Sequence, residues 1–220
     1  MANEPITPPT RFMKRITFLT TLASLAVLGA QGQEVPPPKV AIKGAKIAQV
    51  DTPMFSASNV GDRKWRPKSW LELDVAFEIR LPNAAGGRNG SLESMVANVF
   101  VAFNHKGKGG GTQYAKGSFT MVDIPASEDC HLLVYRSPGM LRRIFEKDGF
   151  SATSDIQGWG VELVLDGEKV AVDGSPAVSK GSPGWWESPA LEIVDGQFLS
   201  KKETPFSILW GDYDVSVKKQ

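Results

Sequence analysis

The stretch that decides the fold is WLELDVAFEIRL, residues 70–81. Apolar side chains occupy its odd positions, namely Leu71, Leu73, Val75, Phe77, Ile79 and Leu81. Charged side chains occupy most of its even positions, namely Glu72, Asp74, Glu78 and Arg80. Because successive side chains of a strand point to opposite sides, this alternation predicts a β-strand with one buried and one solvent-exposed face.

Further short strands, separated by turn signals, are predicted along the rest of the chain. They cover residues 40–50, 95–104, 119–124, 131–135, 160–165, 169–172, 205–210 and 213–217. Gly44 lies inside the first of these and predicts a bulge, and the Asp166-Gly167 dipeptide predicts a tight hairpin turn. The apolar parity changes at Gly211-Asp212, which indicates either a turn or a bulge. Residues 95–104 are apolar on both parities, so we expect this strand to be central or covered by a second layer.

One helix is predicted, over residues 137–149. Ser137 suits the N-cap, Pro138 suits the first turn and Gly149 suits the position after the last turn. Four apolar residues share one face of this helix, namely Met140, Leu141, Ile144 and Phe145. Together with about nine or ten short strands, it predicts an all-β fold, an immunoglobulin-like antiparallel β-sandwich with one short helix that bridges the two sheets.

The domain organisation is predicted from the amino end. Residues 1–32 resemble a cleaved secretory signal peptide, with a basic start followed by an uncharged, largely apolar run over residues 16–30. That run is shorter than the roughly 20 apolar residues of a membrane-spanning helix, so we expect cleavage near Gln31 or Gln33 and no transmembrane anchor. Residues 33–39 are predicted to be an extended proline-rich linker, and residues 40–220 an elaborated sandwich domain.

Charge and cysteine content restrict the class of protein. Loss of the leader takes the net charge from +1 to about −1, which argues against a nucleic-acid partner. The basic loop at residues 105–111, HKGKGGG, is the local exception and is interpreted as a solvated, flexible loop. Cys130 is the only cysteine, so stability has to come from a buried core rather than from internal disulfides.

The sequence carries no catalytic signature. His105 and His131 lack the spacing of a zinc site, so neither a metal site nor a cofactor site is predicted. Cys130 and His131 are neighbours at a strand start, where their side chains point to opposite faces, and His131 is interpreted as a partly buried structural residue. We therefore expect no catalytic residues and a protein that is not an enzyme.

The candidate contact residues are Trp185 and Trp186, in the stretch GSPGWWESP at residues 181–189. In an extended stretch, neighbouring side chains point to opposite sides. One ring is thus predicted to anchor in the core and the other to be available for an interface or for stacking on a sugar.

Three stretches carry a resemblance to a known family: PPPKVAIKGAKIAQV (residues 36–50), WLELDVAFEIRLP (70–82) and PFSILWGDYDVSVK (205–218). With the leader, they resemble a secreted immunoglobulin-like protein associated with the type IV pilus gene cluster of mucin-dwelling Verrucomicrobia of the Akkermansia type. The likeness covers residues 39–218. It implies a non-enzymatic protein associated with the pilus or the cell surface, and it implies no specific site residues.

Two functional hypotheses remain open. The first is a secreted or envelope-associated structural or interaction protein that contacts pilus proteins, envelope proteins or copies of itself. The second is a carbohydrate-binding module that uses exposed tryptophans to bind host mucosal glycans. In both cases we expect a secreted, periplasmic or outer-membrane location.

Overall fold

The computed structural model describes most of the chain after the predicted leader. The described residues are 35–56, 58–59, 61, 64–127, 129–175, 184–194 and 196–218. The predicted leader and residues 33–34 of the predicted linker lie outside them, as do residues 181–183 of the tryptophan stretch.

Ten strands and two α-helices fall within the described residues. The strands are β1 (Lys39–Asp51), β2 (Ser69–Arg80), β3 (Ser91–Lys106), β4 (Thr112–Pro125), β5 (Cys130–Arg136), β6 (Ile156–Leu165), β7 (Glu168–Gly174), β8 (Leu191–Ile193), β9 (Leu199–Ser200) and β10 (Ser216–Val217). The helices are α1 (Pro138–Phe145) and α2 (Ala152–Asp155). Short 3-10 helices cover Asn83–Ala85, Gly87–Asn89, Trp185–Glu187, Lys201–Glu203 and Pro205–Ile208.

The strands form two sheets that pack into a sandwich. The four-stranded sheet has the order β1-β2-β5-β9, and the larger sheet has the order β10-β4-β3-β6-β7 with β8 added beside β4. All pairs are antiparallel except β4 and β8, which run parallel. The predicted all-β sandwich is confirmed.

Strand β2 shows why the two sheets pack together. Its odd-numbered side chains from Leu71 to Ile79 are fully buried, and its even-numbered ones from Glu72 to Glu78 are only partly covered. The buried side joins one apolar core with residues of the opposite sheet, such as Val99, from β3. The alternation in residues 70–81 therefore fixes which face of the four-stranded sheet meets the core.

The predicted turn features also appear. The register of β1 and β2 shifts between Ile42 and Gly44, and Gly44 has a φ of 145°, a conformation that favours glycine. Asp166 and Gly167 have φ values of 51° and 85° and join β6 to β7 in a tight hairpin. The predicted bulge and hairpin are both confirmed.

The helical connection joins the two sheets, as predicted. It starts after β5 of the four-stranded sheet and leads into β6 of the larger sheet. The Ser137 hydroxyl accepts a hydrogen bond from the backbone N–H of Met140, at 3.4 Å. Helix α1 ends earlier than predicted, because Glu146 rather than Gly149 takes the left-handed conformation at its C-cap. The four-residue helix α2 was not predicted.

The predicted strand over residues 205–210 is wrong. Thr204 precedes Pro205, and its hydroxyl accepts a hydrogen bond from the N–H of Phe206 at 3.2 Å, which starts a 3-10 helix. The apolar alternation there reflects one buried ring, Phe206, followed by exposed side chains. Gly211 and Asp212 lie in a turn closed by the N–H of Tyr213, which donates to the Trp210 carbonyl at 3.1 Å. The structure thus shows a turn rather than a bulge, but not a hairpin turn, because a 3-10 helix and not a strand precedes it.

Residues 204–215, called the C-terminal segment below, cover the outer face of the four-stranded sheet. Phe206 stacks on Tyr135 of β5, with ring centroids 4.7 Å apart, and meets Trp70 of β2 edge-on at 5.7 Å. These three side chains form a second apolar cluster outside the main core together with Leu133. The C-terminal segment is therefore fixed on the sandwich by packing rather than by strand pairing.

We expect Phe206→Ala to lower the free energy of unfolding by about 3–5 kcal/mol, because it removes the buried ring that holds the C-terminal segment. Ile208→Ala, in the same 3-10 helix but at an exposed position, should change it by less than about 0.5 kcal/mol. Chemical denaturation of both variants checks this. Equal losses in the two variants would contradict the assigned packing.

Candidate functional site

Both candidate tryptophans are buried. Trp185 is 4% exposed and Trp186 is 6% exposed. They open the 3-10 helix Trp185–Glu187, and their rings meet edge-on with centroids 5.4 Å apart. A 3-10 helix has about three residues per turn, so neighbours do not point to opposite sides as they do in a strand. The prediction that one of the two rings faces outward is wrong for this reason.

The Trp186 ring covers the outer face of the larger sheet. It stacks on Phe100 of β3, with centroids 4.8 Å apart and planes 9° from parallel. It also lies over Gly160 of β6 and Gly174 of β7, which are directly paired in the register of the two strands. A Cβ atom at Gly160 would overlap this ring. Two paired glycines therefore create the space that the ring fills.

A buried carboxylate fixes the orientation of Trp186. Its Nε1 donates a hydrogen bond to Oε1 of Glu162, at 2.9 Å. Lys169 Nζ lies 2.6 Å from the same oxygen and 2.8 Å from Oε1 of Glu187. Burial opposes the charge of Glu162, but Lys169 and Trp186 outweigh it and lower the pKa of this carboxyl. Lys169 thus neutralises the charge of Glu162 beside the Trp186 ring.

Trp185 is also held by a hydrogen bond and a ring contact. Its Nε1 donates to the backbone carbonyl of Trp159 at 3.3 Å, and its ring meets Tyr114 edge-on at 6.2 Å. With Phe100, Ala102 and Leu191, the two tryptophans form an apolar cluster on the outside of the larger sheet. They cover this sheet and offer almost no surface to a ligand.

The predicted flexible basic loop is a compact turn. The N–H of Gly107 donates to the Gly111 carbonyl at 2.9 Å, and the N–H of Gly111 donates to Glu192 at 3.1 Å. The glycines pack against the Glu192 side chain so closely that a Cβ at Gly107 or Gly109 would overlap its carboxylate. The glycines therefore leave room for the Glu192 side chain, which attaches strand β8 to this turn.

The opposite outer face, on the four-stranded sheet, brings polar and aromatic groups together. The ring nitrogens of His131 lie 2.8 Å from Asp74 Oδ1 and 3.0 Å from Asp129 Oδ1. The Tyr213 hydroxyl donates to Asp74 Oδ2 at 2.7 Å, and its ring stacks on His131 with centroids 4.2 Å apart. Cys130 faces the core, on the other side of β5, so the predicted separation of the cysteine and histidine side chains is confirmed.

The protonation of His131 follows from these contacts. Burial opposes its positive charge, but the hydrogen bonds and negative charges of Asp74 and Asp129 outweigh burial, and the pKa of His131 is raised. Both ring nitrogens donate when the ring is protonated, so the charged form satisfies both carboxylates. Burial and the nearby carboxylate of Asp74 raise the pKa of Tyr213, so this hydroxyl stays a donor.

A buried lysine holds the turn that carries the aromatic side chains. Lys201 is 4% exposed, and its Nζ donates to the Trp210 carbonyl and to Asp214 Oδ1, each at 2.6 Å. This contact fixes both ends of the turn at residues 210–214. Trp210 itself is 56% exposed.

A solvent-open pocket of about 200 Å³ lies beside these groups on the outer face of the four-stranded sheet. It is lined by Glu72, Asp74, Leu133, Trp210 and Tyr213. We call it the outer pocket. Sequence reasoning missed it because residues 205–210 were interpreted as a strand, although the wet face of residues 70–81 already placed the two carboxylates on one side.

Among the described residues, no other cavity, metal-ligand group or membrane-spanning helix indicates a more specific function. A larger cavity, of about 500 Å³, lies at the far end of β2 beside Arg80 and Arg88, and its lining includes neither an aromatic ring nor a carboxylate. No group of three His, Cys, Asp or Glu side chains is arranged to hold a metal within the described part of the chain. No described helix is long and apolar enough to span a bilayer.

We expect Gly160→Ala to lower the free energy of unfolding by about 1–3 kcal/mol, because the added methyl group overlaps the buried Trp186 ring. Gly139→Ala is the matched control. It adds a methyl group where α1 leaves open space, and it should be neutral or stabilise by up to about 1 kcal/mol. Thermal or chemical denaturation provides the measurement. An unchanged stability of Gly160→Ala would show that the ring does not lie on this glycine.

The contribution of His131 to stability should fall as pH rises. Its folded-state pKa lies above the unfolded value of 6.5, so its stabilising effect is complete below about pH 6.5 and disappears as pH rises through the folded pKa. The stability difference between the wild type and His131→Gln should therefore shrink as the pH rises above about 6.5. Denaturation at several pH values measures it.

The control for this pH series is His105→Gln, which removes the other histidine and should keep the wild-type response. A difference between the wild type and His131→Gln that stays constant or grows with pH would contradict the ion pairs assigned to His131.

Comparison with known proteins places the chain in a family. The fold is similar to that of a crystal structure from Akkermansia muciniphila, with a TM-score of 0.68 and 19% sequence identity, covering 84% of this chain and 94% of the other. At that identity the likeness shows a shared fold. No curated protein matches the chain. A family model matches residues 31–220, which include both sheets and both aromatic clusters, and the chain therefore belongs to the family that this model defines.

Proposed function

We propose that the protein is a secreted, non-enzymatic interaction protein of the bacterial cell envelope, linked to type IV pilus assembly or to cell-surface adhesion. The observation that carries this proposal is the set of large apolar side chains that the sandwich leaves exposed around Trp70. Contiguous apolar surface on a folded domain commonly marks a site of contact with another molecule.

Six of the large apolar residues that are exposed belong to two segments. They are Met54, Phe55 and Trp65 in the connection between β1 and β2, and Ile208, Trp210 and Tyr213 in the C-terminal segment. Trp70 contacts both segments, because its Nε1 donates to Thr52 Oγ1 at 3.0 Å while its ring packs on Phe206. Trp70 therefore links the two segments that carry these exposed side chains.

The edge of the four-stranded sheet is less suited to contact. Strand β1 pairs with β2, and Lys39, Lys43 and Lys46 are exposed along it. Lysines on an edge strand discourage pairing with a further strand. This favours contact through the apolar side chains near Trp70 over addition of a strand to β1.

A non-enzymatic role is supported by the environments of the neighbouring residues Cys130 and His131. Burial raises the pKa of the Cys130 thiol, which disfavours the reactive thiolate. The ring nitrogens of His131 are both engaged with carboxylates of the same chain. These contacts suit a structural role for both side chains.

The proposed compartment and partner class have a different basis. Secretion is supported by the leader-like residues 1–32, and the pilus link is supported by the resemblance of residues 39–218 to the secreted immunoglobulin-like proteins of Verrucomicrobia. The Akkermansia relative adds a protein of the same fold from that lineage.

Binding of mucosal glycans is the alternative function. Since Trp185 and Trp186 are buried, a sugar would have to stack on other rings. Trp210 and Tyr213, at 56% and 41% exposure, are the aromatic side chains beside the outer pocket that could do so.

Capture of the full-length protein from envelope extracts of a piliated native host tests the first function. We expect an identified pilus or envelope component to co-purify with the wild type and to be lost with the double variant Met54→Ser, Phe55→Ser, because that change removes exposed apolar surface. Val170→Ser with Val172→Ser, at exposed positions of β7, is the matched control and should retain the component.

Two outcomes would contradict this function. One is equal capture by all variants. The other is specific binding to mucin glycans on an array while no envelope component co-purifies, which would support the alternative.

A further inference from the structure

The outer pocket combines a partly buried carboxylate with exposed aromatic rings. Glu72 and Asp74 extend from the wet face of β2, Leu133 forms part of the floor from β5, and Trp210 and Tyr213 reach over from the C-terminal segment. Pockets for drug-sized ligands enclose roughly 300–1,000 Å³. The outer pocket, at about 200 Å³, has room for a single side chain or another small group.

The two carboxylates of the outer pocket differ in what they already bind. Both oxygens of Asp74 are engaged, one with His131 and the other with the Tyr213 hydroxyl. Oε2 of Glu72 is buried and makes no hydrogen bond. Burial raises the pKa of Glu72, although the nearby Tyr135 hydroxyl favours its charged form. A cation in the pocket would offset this burial.

The two lysine side chains near this pocket do not line it. Lys201 binds Asp214 and the Trp210 carbonyl, so it serves the turn and not the pocket. Lys46 is on the neighbouring strand, opposite Asp74 in the register, and is exposed to solvent. Among the described residues, the lining of the pocket thus carries the carboxylates of Glu72 and Asp74, the second of which is paired with His131, and no positive side chain.

The aromatic rings of the pocket also favour a cation as its ligand. A cation over the face of a tryptophan or tyrosine ring is attracted by the electrons of the ring. One face of Tyr213 is covered by His131, and Trp210 remains more than half exposed. An ionised carboxylate only accepts hydrogen bonds, whereas ammonium and guanidinium groups only donate them. A sugar, which needs donors as well as acceptors, is matched less well.

We infer that the outer pocket binds the cationic side chain of a lysine or arginine presented by a partner protein. This inference rests on the proposed function as an interaction protein, and it names the chemistry by which part of the partner is recognised. Trp210 contacts the cation through its ring, and Glu72 supplies the negative charge.

Binding of short peptides to the purified full-length protein tests this inference. The probes are acetyl-Gly-Lys-Gly-amide, the same peptide acetylated on the lysine Nε, and N-acetylglucosamine, each followed by ligand-observed NMR. We expect the lysine peptide to bind weakly and the acetylated peptide not to bind, because acetylation removes the charge. Added salt should weaken binding, since the pocket is open to solvent.

The variants locate the binding. Glu72→Gln and Trp210→Ala should each weaken the lysine peptide by about fivefold, the usual size of one exposed cation–aromatic or charge contact. Glu78→Gln is the matched control, because it removes a carboxylate from the same face of β2 outside the pocket lining. It should leave binding unchanged. Denaturation curves establish that each variant is folded.

Several outcomes would overturn the inference: equal binding of the acetylated peptide, equal loss in Glu78→Gln, no binding of the lysine peptide, or binding of N-acetylglucosamine that Glu72→Gln does not affect. The proposed function fails separately. If an envelope component co-purifies but the lysine peptide does not bind, only the pocket assignment is wrong. If the peptide binds but nothing co-purifies, the interaction role in the envelope is wrong.

Discussion

Strand β3 carries apolar side chains on both of its faces, and this constraint shapes the rest of the molecule. Its inner face, with Val99, Val101 and Phe103, packs in the core between the sheets. Its outer face presents Phe100 and Ala102, which solvent would otherwise reach. A sandwich of two sheets has no third layer to cover that side, so another part of the chain has to do it.

Stacked aromatic rings cover the outer face of each sheet. On the larger sheet, Trp186 stacks on Phe100 over a space left by paired glycines. On the four-stranded sheet, Phe206 stacks on Tyr135. Each cover begins with a short 3-10 helix rather than a strand, and each stacked pair adds about 0.5–1.5 kcal/mol beyond the area that it buries. The sandwich is thus enclosed by aromatic side chains from two connecting segments.

The sequence allowed accurate prediction where one local rule acts alone. The alternation in residues 70–81, the Asp166-Gly167 turn and the Ser137 cap each have one local cause, and each appears in the structure. Prediction failed at residues 185–186 and 205–210, where aromatic residues and breakers are mixed. There a three-residue turn and a strand explain the same apolar pattern, and only packing against a distant sheet decides between them.

The outer pocket could be predicted in part. The charged positions of residues 70–81 place Glu72 and Asp74 on one face, and this is visible from periodicity. Trp210 and Tyr213 come from more than a hundred positions away along the chain, so their arrival depends on how the C-terminal segment is held. Sequence spacing carries no signal for such a contact.

The buried contact of Lys201 with Asp214 and the Trp210 carbonyl has a consequence for cooperativity. The C-terminal segment returns to the larger sheet only through the two-residue strand β10, so its backbone adds little ladder hydrogen bonding. Its retention depends on a few side-chain contacts and on the hydrogen bond from the Val215 N–H to the His131 carbonyl, so we expect its opening free energy to lie below that of the whole domain. We therefore expect amide hydrogens in residues 204–215 to exchange by local opening while the sheets beneath them stay closed.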